Sequence, residues 1–117
     1  MKLYGIANCS TVKKARLWLE QHNISAEFHD FKKLGVDEGM LRNWIRQAGW
    51  EKLLNRKGTT WRLLPDAVKA ATDSENAAVA LMLEKPSLIK RPIAEKAGKI
   101  VYLGFDEAAY QTLFGKS

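Results

Sequence analysis

Apolar and polar positions recur with two different periods along this chain, and the changes of period mark its elements. A short apolar run, Leu3-Tyr4-Gly5-Ile6, predicts a buried strand over 2–6. Val12, Ala15, Trp18, Leu19 and His22 follow at helical spacing, which predicts a helix over 10–22 with Asn23 as its stop. Ala26 to Phe31 alternates apolar and charged residues and reads as a second strand. Two strands joined by one helix form a βαβ unit, which favours parallel pairing.

From Val36 the helical period takes over. Val36, Met40, Leu41, Trp44, Ile45 and Ala48 share one face, and Gly49 ends the run. Residues 50–54 predict a further turn and Asn55-Arg56-Lys57-Gly58 a loop. Pro65 suits the first turn of a helix carrying Val68 and Ala71. Asp73 or Ser74 then caps a helix through Ala77, Ala78, Leu81 and Met82. Strand character returns over Leu88–Ile93 and Ile100–Gly104, with a turn at Ala97-Gly98 between them. Asp106 caps a last helix whose Ala109, Tyr110, Leu113 and Phe114 are expected to face inward.

The order βαβ, helices, ββ, α is the thioredoxin-like plan. It predicts an α/β fold with a small mixed sheet of about four strands. One domain is expected over 1–117, with 1–35 and 84–117 as core and 36–83 as an all-helical insertion. At 117 residues and 46% apolar content, the chain can bury one core without disulfide or metal staples. No uncharged apolar stretch approaches 18 residues and no signal-peptide pattern opens the chain, so the reading is a cytosolic protein without membrane association. The net charge of +6 invites a nucleic-acid reading, but the basic residues are scattered and no binding motif accompanies them. Several basic pairs converging on one anionic pocket would serve the same composition.

Cys9 is the single cysteine, which excludes an internal disulfide and fits a reducing compartment. Its position at the start of the first helix places the sulfur near unpaired N–H groups and the positive end of the dipole, where a thiolate is stabilised. Lys13 follows one turn on, and Ser10 and Thr11 can cap the helix or donate to the sulfur. From spacing alone, a nucleophile and a buried small apolar residue are equally good readings of Cys9. His22 and His29 lack metal-ligand spacing on one element, so no metal site is expected.

Asn8-Cys9-Ser10-Thr11, Lys13-Lys14-Ala15-Arg16, Leu53-Leu54-Asn55-Arg56 and Leu88-Ile89-Lys90-Arg91-Pro92-Ile93 together resemble the ArsC/Spx family over essentially the whole chain. That family includes glutaredoxin-coupled arsenate reductases, Spx-type regulators and YffB-type proteins. The resemblance implies that Cys9 is the nucleophile, that Arg56 and Arg91 are oxyanion-holding arginines, and that Pro92 is a cis proline beside the thiol. This chain departs from the arsenate reductases in having no arginine in Val101-Tyr102-Leu103-Gly104-Phe105. It departs from many Spx-type proteins in having Val12 where a second cysteine would complete Cys-x-x-Cys. Both departures place it with the YffB-type branch.

The resulting expectation is a thiol reductase without a bound cofactor, resolved by an external thiol for which glutathione is the cytosolic candidate. Glutathione or another small anionic thiol or oxyanion would be held by Asn8, Ser10, Thr11, Lys13, Lys90 and Pro92 around the catalytic Cys9, Arg91 and Arg56. Glutaredoxin is a further candidate partner. The alternatives are a Spx-type module that binds RNA polymerase through the helical insertion and, more weakly, a glutaredoxin-coupled arsenate reductase.

Overall fold

A computed structural model describes residues 1–115. The described residues divide into two compact units, one of residues 1–34 and 91–115 and the other of residues 35–90.

The first unit is built on a four-stranded sheet of order β2-β1-β3-β4, with β1 at Lys2–Gly5, β2 at Glu27–Asp30, β3 at Ile93–Lys96 and β4 at Lys99–Leu103. β1 pairs parallel with β2 through α1 (Ser10–Gln21), whereas β3 lies antiparallel to both β1 and β4. This mixed sheet is that of a thioredoxin-like fold. Side chains alternate across a strand, so Leu3, Phe28, Ala94 and Tyr102 share the face that packs with Ala15, Trp18, Leu19 and Tyr110. Tyr110, fully buried on α8 (Glu107–Phe114), meets Trp18, Tyr102, Phe105 and Phe114 edge-on. Its hydroxyl finds no partner among the described residues, and burial pushes its pKa up to about 12.

Local chemistry sets the ends of these elements. Asn23 takes a left-handed φ of 56°, and the Asn23 and Ile24 N–H groups donate back to the carbonyls of Glu20 and Leu19, closing α1 with a Schellman motif. Ala97 and Gly98 both have positive φ, as a two-residue hairpin turn between β3 and β4 requires. Asp106 accepts the Ala109 N–H and caps α8. Leu113 lies on the exposed side of α8 rather than inward as its spacing suggests. Tyr110 and Phe114 already occupy the stripe that meets the sheet. Phe31 closes no strand: it opens the short helix α2 (Phe31–Leu34), and Asp30 accepts the Lys32 N–H at that junction.

The second unit is helical: α3 at Glu38–Ala48, α4 at Trp50–Leu53, α5 at Thr59–Arg62, α6 at Asp66–Ala71 and α7 at Glu75–Glu84. Asp37 caps α3 and Ser74 caps α7, each accepting a main-chain N–H three residues on. Leu41, Trp44, Ile45, Leu53, Ala78, Val79 and Met82 are buried within it. Arg42 ties α3 to α7 by pairing with Glu38 at 2.8 Å and Glu75 at 2.7 Å.

The helical unit extends to Lys90, not to 83, and Leu88–Ile93 is not one strand. Pro86–Leu88 forms a 3-10 turn, Ile89 bridges Leu54, the Asn55 N–H donates to Leu88, and the Lys90 N–H donates to Leu53. The apolar run up to Ile89 is therefore spent inside the helical unit, and β3 begins only at Ile93, after Pro92. No helix among the described residues is long and apolar enough to cross a membrane.

Candidate active site around Cys9

Cys9 occupies the N-cap of α1 in extended conformation (φ −145°, ψ 124°), and its carbonyl accepts the Lys13 N–H at 2.9 Å. Cysteine is not a favoured cap, and the thiol closes no side-chain capping bond. Its position is instead suited to an anion, because the N–H groups of the first turn have no partner within the helix.

The Cys9 pKa is held below the ordinary thiol value by a balance of opposing influences. Partial burial is the largest single one and pushes it up. The Val12 N–H, the hydrogen bond and positive charge of the Arg91 guanidinium, and the Thr11 N–H together outweigh it. A thiolate is the stronger acceptor, so these donors favour ionisation. The rate of iodoacetamide alkylation is therefore expected to rise with pH and level off at an inflection below about 8.5, the free-thiol value. An inflection at or above that value would remove the activated-thiol reading.

Three elements bring this arrangement about. β1 ends at Gly5, which lets Val12 come close: a Cβ at Gly5 would lie 2.9 Å from Val12 Cγ2, while Arg91 Cβ at 3.6 Å would be in ordinary contact. Val12 is fully buried and anchors the first turn of α1. Arg91 stands immediately before β3, joined through a cis peptide bond to the buried Pro92, whose carbonyl accepts the Gly104 N–H at 2.8 Å. Gly5 carries no chemistry of its own and was not singled out by sequence pattern. Its signal is a glycine at the end of a short buried strand, where a close approach of other chain is common.

The sequence-selected residues fall into two sets. Cys9, Thr11 and Arg91 meet in the sheet unit, with Thr11 acting through its main chain rather than its hydroxyl, and Pro92 follows Arg91 in the same unit. Asn8, Ser10 and Lys13 flank Cys9 with exposed side chains, and the cation that acts on the sulfur is Arg91. Arg56 and Lys90 belong to the helical unit. There the exposed Arg56 guanidinium lies over the rings of Trp50 and Trp61, at 5.4 and 5.9 Å. His22 stacks on Trp18 and hydrogen-bonds its carbonyl through Nδ1, while His29 packs between Tyr4 and Phe31. Neither histidine approaches a metal cluster: no group of three or more His, Cys, Asp or Glu side chains gathers among the described residues.

The profile of the ArsC family matches residues 4–113. The chain belongs to the ArsC family. Its likeness to other ArsC-type proteins extends over nearly all of it. The solved YFFB protein is 47% identical, with a TM-score of 0.87 over 96% of both chains. A protein related to arsenate reductase from Brucella melitensis is also 47% identical, with a TM-score of 0.79 over 97% of this chain and 92% of that one. The global transcriptional regulator Spx of Streptococcus agalactiae is 28% identical over 90% of this chain and 76% of its own length. The ArsC family thus places this chain among arsenate-reductase-like proteins and Spx relatives, on the YffB side.

Proposed function

We propose that this ArsC-family protein is a cytosolic thiol reductase that uses glutathione and a single nucleophile, Cys9. The observation that carries this reading is Cys9 at the N-cap of α1, with its thiol pKa lowered by the Val12 N–H, the Arg91 guanidinium and the Thr11 N–H. This is a site that favours a thiolate without metal or second thiol. Cys9 thiolate attacks the glutathione sulfur of a mixed disulfide, forming a Cys9–glutathione disulfide and releasing the other sulfur as a thiolate that takes a proton from water. A second glutathione thiolate then attacks the sulfur of the bound glutathione. Glutathione disulfide leaves and the Cys9 thiolate is restored. The net exchange consumes one free glutathione: the mixed disulfide and glutathione become the free substrate thiol and glutathione disulfide.

Arg91 stabilises the thiolate at rest and supplies a cation for a glutathione carboxylate. Asn8, Ser10, Thr11, Lys13 and Pro92 border the thiol in this reading, while Arg56 and Lys90 are assigned to anion binding on the family resemblance. The absence of an arginine from Val101–Phe105 favours a disulfide over arsenate as substrate.

The test is intact-mass spectrometry after treatment with glutathione disulfide. One glutathione is expected on the wild-type chain, removable by reduced glutathione, and none on Cys9→Ser. The likeness to Spx supports a second reading, a regulator that binds RNA polymerase. That reading expects Cys9→Ser to bind polymerase as tightly as wild type, and such binding without any reversible Cys9 adduct would displace the reductase reading.

A further inference from the structure

A groove of about 520 Å³ runs along α1 beside the start of α8, and Thr11, Trp18 and Phe105 contribute to its walls. Lys14 stands in it from α1, and Asp106 and Glu107 stand in it from the N-terminal end of α8. Thr11 lines it two residues from Cys9, and the Thr11 N–H is one of the groups that lower the Cys9 pKa. We propose that this groove holds the zwitterionic α-amino-acid end of a peptide thiol whose sulfur is presented to Cys9. The carboxylate would meet Lys14, and the ammonium would meet Asp106 and Glu107. The proposal rests on the thiol-reductase reading and adds to it the feature by which the substrate is recognised.

Charge distribution selects this ligand chemistry. The sheet unit's other acidic side chains are engaged or lie elsewhere: Glu27 pairs with Lys2, Asp30 accepts the Lys32 N–H, Glu95 accepts the Tyr4 hydroxyl, and Glu20 lines a different groove. Asp106 also caps α8, but two carboxylates outweigh the roughly half positive charge of a helix N-terminus, so this wall stays negative. A wall of one cation facing two anions suits a group bearing both charges better than a simple anion does.

Length narrows the class further. Lys14 lies five positions beyond Cys9 on α1, about 7.5 Å along the axis at 1.5 Å per residue. Two extended residues span roughly that distance, at about 3.3–3.6 Å each. The ligand is therefore a short peptide whose amino end lies close to its cysteine, as in glutathione. A long polypeptide substrate has no such end to offer.

The test compares the rate of Cys9 adduct formation from glutathione disulfide with that from the same disulfide acetylated on both amino groups. It is run on wild type, Lys14→Gln and the double variant Asp106→Asn/Glu107→Gln. Asparagine at 106 keeps an acceptor for the Ala109 N–H, so the cap on α8 is retained. Acetylation is expected to slow the wild-type reaction about tenfold, the scale of one charge-assisted hydrogen bond, and to leave the double variant nearly unaffected. Lys14→Gln is expected to slow both disulfides alike. Equal rates for the two disulfides on wild type would overturn the groove assignment and leave the reductase reading standing.

S-methylglutathione, which cannot react, separates the two ideas from the other side. Amide shifts on Thr11, Lys14, Asp106 and Glu107 that vanish for its N-acetyl form support the groove even if no adduct forms with either disulfide. Absence of shifts there overturns it.

Discussion

Arg91→Ala is expected to raise the Cys9 pKa toward the free-thiol value and to slow adduct formation at neutral pH by about tenfold or more. The guanidinium supplies both a hydrogen bond and a positive charge to the thiolate. A hydrogen bond to a charged group is worth about 1.5–3 kcal/mol, and 1.4 kcal/mol is a factor of ten. With Arg91 gone, partial burial still raises the pKa, and only the Val12 and Thr11 N–H groups oppose it. The thiolate fraction at pH 7 falls accordingly, and the deficit should shrink as pH is raised through the new inflection. Arg91→Lys should recover part of the rate, because an ammonium restores the charge without the planar fork. Alkylation and glutathionylation followed across pH would measure both effects, with circular dichroism to check the fold. An alanine variant with an unchanged inflection would remove Arg91 from the site.

Gly5→Ala is expected to destabilise the protein by about 1–3 kcal/mol, the usual cost of forcing an extra methyl into a packed interior. The added Cβ would lie 2.9 Å from Val12 Cγ2, and Val12 is fully buried in a close-packed interior. Relief must come from a shift of the first turn of α1, and that turn carries the N–H groups that face Cys9. Loss of stability should therefore be accompanied by a higher Cys9 pKa. Urea unfolding of Gly5→Ala, Val12→Ala and the double variant forms the decisive cycle. If Val12 is the obstacle, the double variant will be less destabilised than the two single effects added together. Strict additivity would show that Gly5 is not what permits the approach.

Much of the chain's local structure was legible because its signals act over a few residues. Ser74 and Asp106 are short acceptors just ahead of apolar periodic runs, and each caps a helix. Asn23 and Gly98 accommodate positive φ, and they stop α1 and turn the β3–β4 hairpin. A lone cysteine between a buried strand and an amphipathic helix was enough to place the sulfur at a helix N-terminus.

What local pattern could not supply was the partner of that sulfur. Lys13 is near Cys9 in sequence and was the natural candidate from spacing, but its side chain is exposed, and the cation that faces the thiol is Arg91. That choice depends on the antiparallel register of β1 against β3, which sets Tyr4 opposite Ile93 and so carries Arg91 up to the end of β1. Gly5 likewise acts through tertiary packing: its missing side chain has meaning only once Val12 of α1 comes against it. Leu88-Ile89 shows the converse failure. An apolar pair before a proline satisfies the pattern of a strand, but hydrophobicity does not say which surface will bury it, and here Ile89 bridges Leu54 while the Leu88 carbonyl accepts the Asn55 N–H. Residue types and spacing thus specified the elements and the reactive atom, while long-range register and close packing selected the charge that activates it.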